Sequence, residues 1–224
     1  MRHIGIAAVT AEGAALVYKE ICRRSAIRLG EYQHPEISLH SFSFSEHMNG
    51  GPIEWARLLS LSASKLHATG AEFMICPSNT PHEVYEELAS QLPLPWLHIA
   101  SGVRAMAESK RLKNILLLGT EFTMKSRIYD DQFMESGISL TRPDELEVAS
   151  VHEIITKELI NGRLNESSRS AVSDIVRKYV RAGVDGVILG CTELPMIVDI
   201  SESEVPLLDS TIALADAAID YAIS

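Results

Sequence analysis

Two residues able to handle a proton, Ser78 and Cys191, close matching phrases of this 224-residue chain, 113 positions apart. The first phrase reads Gly70-Ala-Glu-Phe-Met-Ile-Cys-Pro-Ser78-Asn-Thr, and the second reads Gly183-Val-Asp-Gly-Val-Ile-Leu-Gly-Cys191-Thr-Glu. In each, a helix-stopping glycine is followed two residues on by an acid, then by an apolar strand run, then by a small nucleophile eight positions after the glycine. A chain built of two like halves tends to bring equivalent positions together across the seam. The two side chains are therefore expected to flank one ligand from opposite sides, a geometry suited to chemistry on a tetrahedral carbon.

The loop Gly190-Cys191-Thr192-Glu193-Leu194-Pro195 is the sharpest motif. A thiol at the end of a buried strand, beside a glycine that lets a ligand approach, is expected to have its pKa lowered by a following helix N-terminus. An ordinary thiol ionises near about 8.5, close enough to neutrality for thiolate to act as base and thiol as acid. In Ser78-Asn79-Thr80-Pro81-His82, Pro81 suits the first turn of a helix with Thr80 as its cap, and free N–H groups there would face a carboxylate. Gly119-Thr120-Glu121-Phe122-Thr123 repeats that arrangement in the other half. Neither GxxxxGK[ST] nor GxGxxG occurs, which argues against a nucleotide phosphate site. A Ser78–His82 hydrolase lacks the GxSxG elbow. The histidines show no HExxH pair, so no metal is expected. Cys22 and Cys76 read as small core residues, although Cys76 stands two positions before Ser78 and could share its strand face.

These residues need a scaffold, and short apolar runs alternating with longer helical patterns supply one of βαβ units. Strands are expected near 3–8, 37–43, 72–77, 96–99, 114–119, 138–140, 185–190 and 206–208. Helices are expected near 12–29, 52–69, 82–91, 101–110, 122–136, 145–160, 166–182 and 211–222. Lys113-Asn-Ile-Leu-Leu-Leu-Gly-Thr120 restarts the pattern of Arg2-His-Ile-Gly-Ile-Ala-Ala-Val-Thr10. The expected fold is α/β: two pseudo-symmetric parallel-sheet domains with the site in the cleft between them. Residues 1–100 would form the first, rejoined by 207–224, and residues 101–206 the second. In open parallel sheets ligands bind beyond the carboxyl ends of the strands, where Thr10, Ser78, Thr120 and Cys191 all fall.

Composition removes other classes. Hydrophobic residues make up 46% and charged residues 22%, as in ordinary globular proteins. Thirty acidic against twenty basic residues give a formal charge of −10, which repels nucleic acid. No 18-residue apolar run offers a membrane span. Met1-Arg-His-Ile-Gly-Ile enters a strand directly, so a cytoplasmic location is expected.

With the (C/S/A/T)NT-H loop at Ser78, the LLGT--TM segment at Gly119, the GCTEL loop at Cys191 and the closing Leu207-Leu-Asp-Ser-Thr211, the chain resembles the aspartate/glutamate racemase family over nearly its full length. The resemblance implies an amino acid racemase that works without pyridoxal phosphate or any other cofactor, as a homodimer. It implies that Cys191 is one acid/base and that Ser78 stands at the other position. It implies that Asn79, Thr80 and Thr192 hold the α-carboxylate and amine, that Thr10, Gly119, Thr120 and Thr123 close the pocket, and that Arg163 faces a side-chain carboxylate. Most members carry a second cysteine where this chain has Ser78. An alcohol is harder to ionise by roughly five or more pKa units, each about 1.36 kcal/mol, so action on one enantiomer is expected to dominate. A single-thiol decarboxylase of the arylmalonate type and a binding protein without turnover remain the alternatives.

Overall fold

The computed structural model describes residues 1–198 and 203–224. The chain divides into two compact units, residues 1–102 with 211–224, and residues 103–210. The first unit runs β1 (Ile4–Ala8), α1 (Ala11–Leu29), β2 (Ile37–Ser41), α2 (Phe44–Ala68), β3 (Phe73–Ile75), a 3-10 turn (Thr80–Val84), α3 (Tyr85–Leu88), a second 3-10 turn (Ala89–Gln91), β4 (Trp96–Leu97) and the start of α4 (Ile99–Ser109). The second continues with β5 (Asn114–Leu118), α5 (Glu121–Lys125), α6 (Ile128–Phe133), β6 (Ser139–Thr141), α7 (Glu145–Glu153), α8 (Glu166–Arg181), β7 (Gly186–Leu189) and β8 (Leu207–Asp209). Helix α9 (Ser210–Ile223) closes the chain.

Each unit is built on a four-stranded parallel sheet, ordered β2-β1-β3-β4 in one and β6-β5-β7-β8 in the other. The same strand order recurs with the same connectivity, and β3 and β7 take equivalent central places. Parallel strands covered on both faces need continuous apolar runs, which Ile4–Ala8, Phe73–Ile75 and Gly186–Leu189 provide. In the first unit the alternation of side chains sorts them by face. Ile4, Ile6, Phe73 and Ile75 pack with Val17 and Ile21 of α1 and with Leu214 and Ile219 of α9. Ala7, Met74 and Cys76 pack with Leu59, Ala63 and Leu66 of α2.

The repeated glycine and acid have a structural reason. Gly70 and Gly183 carry φ values of 91° and 100°, conformations that any other residue adopts at a cost. Behind them α2 and α8 end alike. Gly70 N donates to His67 O and Ala71 N to Leu66 O, while Gly183 N donates to Val180 O and Val184 N to Tyr179 O. Two residues past each glycine, the acid secures the neighbouring strand. Glu72 N donates to His3 O, and His3 N donates to Glu72 Oε1 at 3.0 Å. Asp185 N donates to Asn114 O, and Lys113 N and Asn114 N donate to the two Asp185 carboxylate oxygens at 2.8 and 2.9 Å. The following residue then pairs in register, Phe73 with Ile4 and Gly186 with Ile115. Counting five residues further reaches Ser78 in one unit and Cys191 in the other.

Several helices depart from the expected outline. Helix α2 begins at Phe44, well before residue 52, because a second helical stretch precedes a kink at Gly51 (φ 59°) and Pro52. The segment expected as a helix over 82–91 is mostly 3-10, with a single α turn at Tyr85–Leu88. The stretch 122–136 breaks into α5 and α6, since Ser126 is extended (ψ 172°). After α7 the backbone widens into a π turn at Ile154–Glu158 and then tightens into a 3-10 turn that ends at Gly162 in the left-handed conformation. No helix among the described residues is long and apolar enough to cross a membrane.

Replacing half-buried Asp185 by alanine strips two backbone N–H groups of a charged acceptor. The expected outcome is a urea unfolding midpoint lowered by the equivalent of about 1–3 kcal/mol; an unchanged midpoint would contradict the role given to the acid.

Candidate active site

In the second unit, β7 delivers Gly190 and then Cys191. Gly190 N donates to Leu118 O at 2.7 Å. A Cβ built on Gly190 would sit 2.9 Å from Leu118 O and 3.4 Å from Thr123 Cγ2, so β5 itself requires the glycine here. Gly119 answers it: its missing Cβ leaves room for Thr123 and for Gly190 O. The glycine beside the thiol, read from sequence as space for a ligand, thus serves first to bring the two strand ends together. Thr120 caps α5, accepting from Thr123 N at 3.3 Å, and the two threonine hydroxyls meet at 3.1 Å. Thr123 is buried and Thr120 half-buried.

Cys191 Sγ donates to Glu193 Oε2 at 3.0 Å, and Thr192 Oγ1 donates to the same oxygen at 2.6 Å. Glu193 is only 8% exposed. Burial, the Glu193 charge and the hydrogen bond to it push the Cys191 thiol well above its ordinary value. This reverses the lowering expected from a helix N-terminus. The turn that follows, Leu194–Met196, is a three-residue 3-10 piece with almost no dipole to offer, whereas the carboxylate is in direct contact. Tyr129, fully buried on α6, has its hydroxyl raised mainly by burial, bonds to Ser210, and feels the charges of Asp209 and Cys191.

In the first unit, β3 ends at Ile75, and Cys76 and Pro77 lead to half-buried Ser78. Cys76 is fully buried and its thiol is pushed up to about 12 by burial, which makes it core rather than a second reactive group. His82 holds the loop from behind. Its Nδ1–H donates to Ser78 O at 2.9 Å, and its Nε2 accepts from Ile99 N at 3.2 Å. Both ring nitrogens are committed to the backbone, so His82 cannot serve as a base for the Ser78 hydroxyl. Burial holds His82 down to about 4 and the adjoining His98 down to about 2. The rings pack with Tyr85 and Trp96, and Tyr85 Oη donates to Trp96 O at 2.9 Å.

The remaining expected residues are placed as follows. Thr10 caps α1, accepting from Gly13 N at 3.2 Å. Thr80 is the first residue of its 3-10 turn and not the cap; Asn79, 5% exposed, takes that position without a side-chain cap bond. With one short turn after Ser78 and one after Thr120, the helix-dipole cradle expected from sequence shrinks to a few local N–H groups. Thr192 is half-buried. Arg163 is exposed, following Gly162, with its N donating to Glu158 O at 3.1 Å. Ser78, Asn79 and Thr80 share one loop of the first unit; Cys191 and Thr192 share one loop of the second, beside Gly119, Thr120 and Thr123. Sequence reasoning quoted Glu193 within its motif but gave it no role; its signal is an acid two residues past the thiol.

The Asp/Glu/Hydantoin racemase family matches residues 8–218. The broad-specificity amino-acid racemase RacX of Bacillus subtilis is 30% identical over 158 residues, 70% of this chain and 67% of that protein. Among solved structures, a candidate Asp/Glu racemase of Yersinia pestis superposes with a TM-score of 0.91 at 33% identity, covering 100% of both chains. An aspartate racemase homologue of Pyrococcus horikoshii does so with a TM-score of 0.87 at 30% identity, also over 100% of both.

His82 sets a pH dependence of stability. An ordinary histidine takes its proton near about 6.5, whereas folded His82 stays neutral down to about 4. Between those values the unfolded chain binds the extra proton, so stability is complete above the window and falls as pH falls through it. At pH 5 the loss from His82 is about 2 kcal/mol relative to neutral pH. Urea titrations at pH 7 and pH 5 should show it, and His82→Asn should shrink the difference; an equal acid loss in the variant would contradict this assignment.

Proposed function

Since this chain belongs to the Asp/Glu/Hydantoin racemase family, we propose that it is a cofactor-independent amino acid racemase acting on aspartate or glutamate, with Cys191 as the thiol acid/base and Ser78 as its counterpart for the opposite face of Cα. The single observation that carries the reading is the equivalence of the two loops. Ser78 and Cys191 each follow the third strand of a like-ordered sheet, six residues beyond a register-setting acid.

The chemistry follows from the two groups. Removing a proton from Cα leaves a carbanion, and reprotonation on the other face inverts the centre. Side chains and backbone N–H groups of Asn79, Thr80 and Thr192 are the groups offered to the α-carboxylate and amine, with Thr10, Gly119, Thr120 and Thr123 around them and Arg163 for a side-chain carboxylate. Ser78 cannot supply a free alkoxide, because roughly five or more pKa units at about 1.36 kcal/mol each place it about 7 kcal/mol above a thiolate. Ser78 therefore donates or relays a proton, Cys191 carries the abstraction, and one enantiomer is processed preferentially. A second reading draws on the protonated state of Cys191: a thiol held with its proton suits delivery to an enolate left by loss of CO2, as in a single-thiol decarboxylase.

Proton NMR of each enantiomer of aspartate and glutamate in D2O tests the proposal. The wild-type protein should wash deuterium into Cα of at least one of them. Cys191→Ala should abolish the exchange with the fold intact, and Ser78→Cys should speed action on the slower enantiomer. Full exchange in Cys191→Ala would remove the thiol from the mechanism, and release of CO2 from a substituted malonate without amino acid exchange would favour the second reading.

A further inference from the structure

Resting on the racemase reading proposed above, we infer that His152 is a positioning residue for Cys191: its imidazole holds the first backbone N–H of α5, and through α5 it keeps Thr123 seated between the strand ends that present the thiol. Helix α5 has five residues, Glu121–Lys125, too few to keep a helical shape or a fixed place unaided. The first N–H groups of any helix lack an acceptor within it. Thr120 answers Thr123 N with its Oγ1 at 3.3 Å. Glu121 N is answered from another helix, donating to Nδ1 of His152 on α7 at 3.2 Å. A ring nitrogen accepts only when it carries no proton, so this bond requires the neutral ring with its proton on Nε2. An N–H that a helix start would offer to an anion is here committed to α7.

Helix α7 meets α5 at both ends. Glu145 and His152 stand seven residues apart, about two turns, and so share one face of α7. At the far end of α5, Lys125 Nζ donates to Glu145 Oε2 at 2.7 Å. That ion pair lies in solvent, with its side chains 45% and 82% exposed, and such pairs contribute little. His152 is half-buried and binds a backbone group, which makes it the tie that fixes where α5 begins. What α5 places is Thr123, which is buried. A Cβ built on Gly119 would sit 3.1 Å from Thr123 Cβ, and one built on Gly190 would sit 3.4 Å from Thr123 Cγ2, so Thr123 fills the space that both glycines leave open. Gly190 immediately precedes Cys191. Slack at Glu121 N therefore passes through Thr123 to the residue beside the thiol. Proton transfer at carbon is sensitive to such slack, since a misplacement of about 1 Å from the reactive geometry can cost about 10²-fold. His152 acts only through α5, and its contribution is to placement rather than to the chemistry itself.

Four variants, His152→Ala, His152→Asn, His152→Gln and Lys125→Ala, test this, read by the kcat and KM of Cα deuterium exchange and by amide hydrogen exchange at Glu121. His152→Ala should lower kcat on the order of tenfold with KM within about threefold of wild type, and should speed amide exchange at Glu121 on the order of tenfold. The side-chain oxygen of asparagine falls where Nδ1 stands, so His152→Asn should return both readouts to within about threefold of wild type. Glutamine carries its amide one bond further, where Nε2 stands, and His152→Gln should show the alanine loss. Lys125→Ala, which cuts only the exposed tie, should stay within about threefold of wild type. A wild-type kcat in His152→Ala, a loss confined to KM, or an equal loss in Lys125→Ala would overturn the inference. Should the alanine variant fail to fold, the asparagine and glutamine variants decide: equal kcat in the two would overturn it. Wild-type exchange together with an unaltered His152→Ala removes the role of His152 alone, whereas a wild-type protein that exchanges no amino acid removes the racemase reading and this role with it.

Discussion

The carboxylate that follows each helix-ending glycine sets the rest of the architecture. Asp185 binds the backbone N–H groups of Lys113 and Asn114, Glu72 binds that of His3, and these bonds tie β7 to β5 and β3 to β1 in one register. A slip of one residue in a strand reverses every side chain. Here it would turn Ile188 or Ile75 to the opposite face and carry the loop residues with them. Positive φ at Gly70 and Gly183 aims the chain, the acids set the count, and Ser78 and Cys191 emerge a fixed distance later. The same device operates in both units, which is why two dissimilar side chains, an alcohol and a thiol, stand at matching positions.

Beyond that count the two loops are stabilised by different means. In the first unit a neutral, buried histidine spans Ser78 O and Ile99 N, and His82, Tyr85, Trp96 and His98 pack ring against ring beside it. In the second, two glycines let strand ends close on each other and Thr123 fills the gap, leaving Cys191 above a buried carboxylate. One loop is built by hydrogen bonds to a ring with no charge; the other is built around a charge.

Much of this was legible in the residues. The apolar runs named the eight strands of the described residues to within a few positions, most plainly β1, β3, β5 and β7, whose burial on both faces leaves little ambiguity of pattern. The glycines marked the ends of α2 and α8 for a backbone reason that any sequence would share. What escaped depended on tertiary contact. The break at Ser126, the 3-10 character after Ser78 and the helical stretch before Gly51 are backbone features that apolar spacing does not announce. The direction of the Cys191 shift was misread because sequence spacing suggested a helix terminus, whereas burial, and after it the charge of Glu193 reached through a turn, set the direction. The glycine at 190 was assigned to a ligand when its nearest neighbour is the carbonyl of Leu118.

The central claim is that Cys191 and Ser78 address one carbon atom. A crystal structure of the protein with bound aspartate or glutamate measures this directly. The account expects Cys191 Sγ and Ser78 Oγ on opposite faces of Cα, each at about 3–3.5 Å from it or linked to it through one water. An amino acid bound with its Cα out of reach of Cys191, or with both groups on the same face, would contradict it.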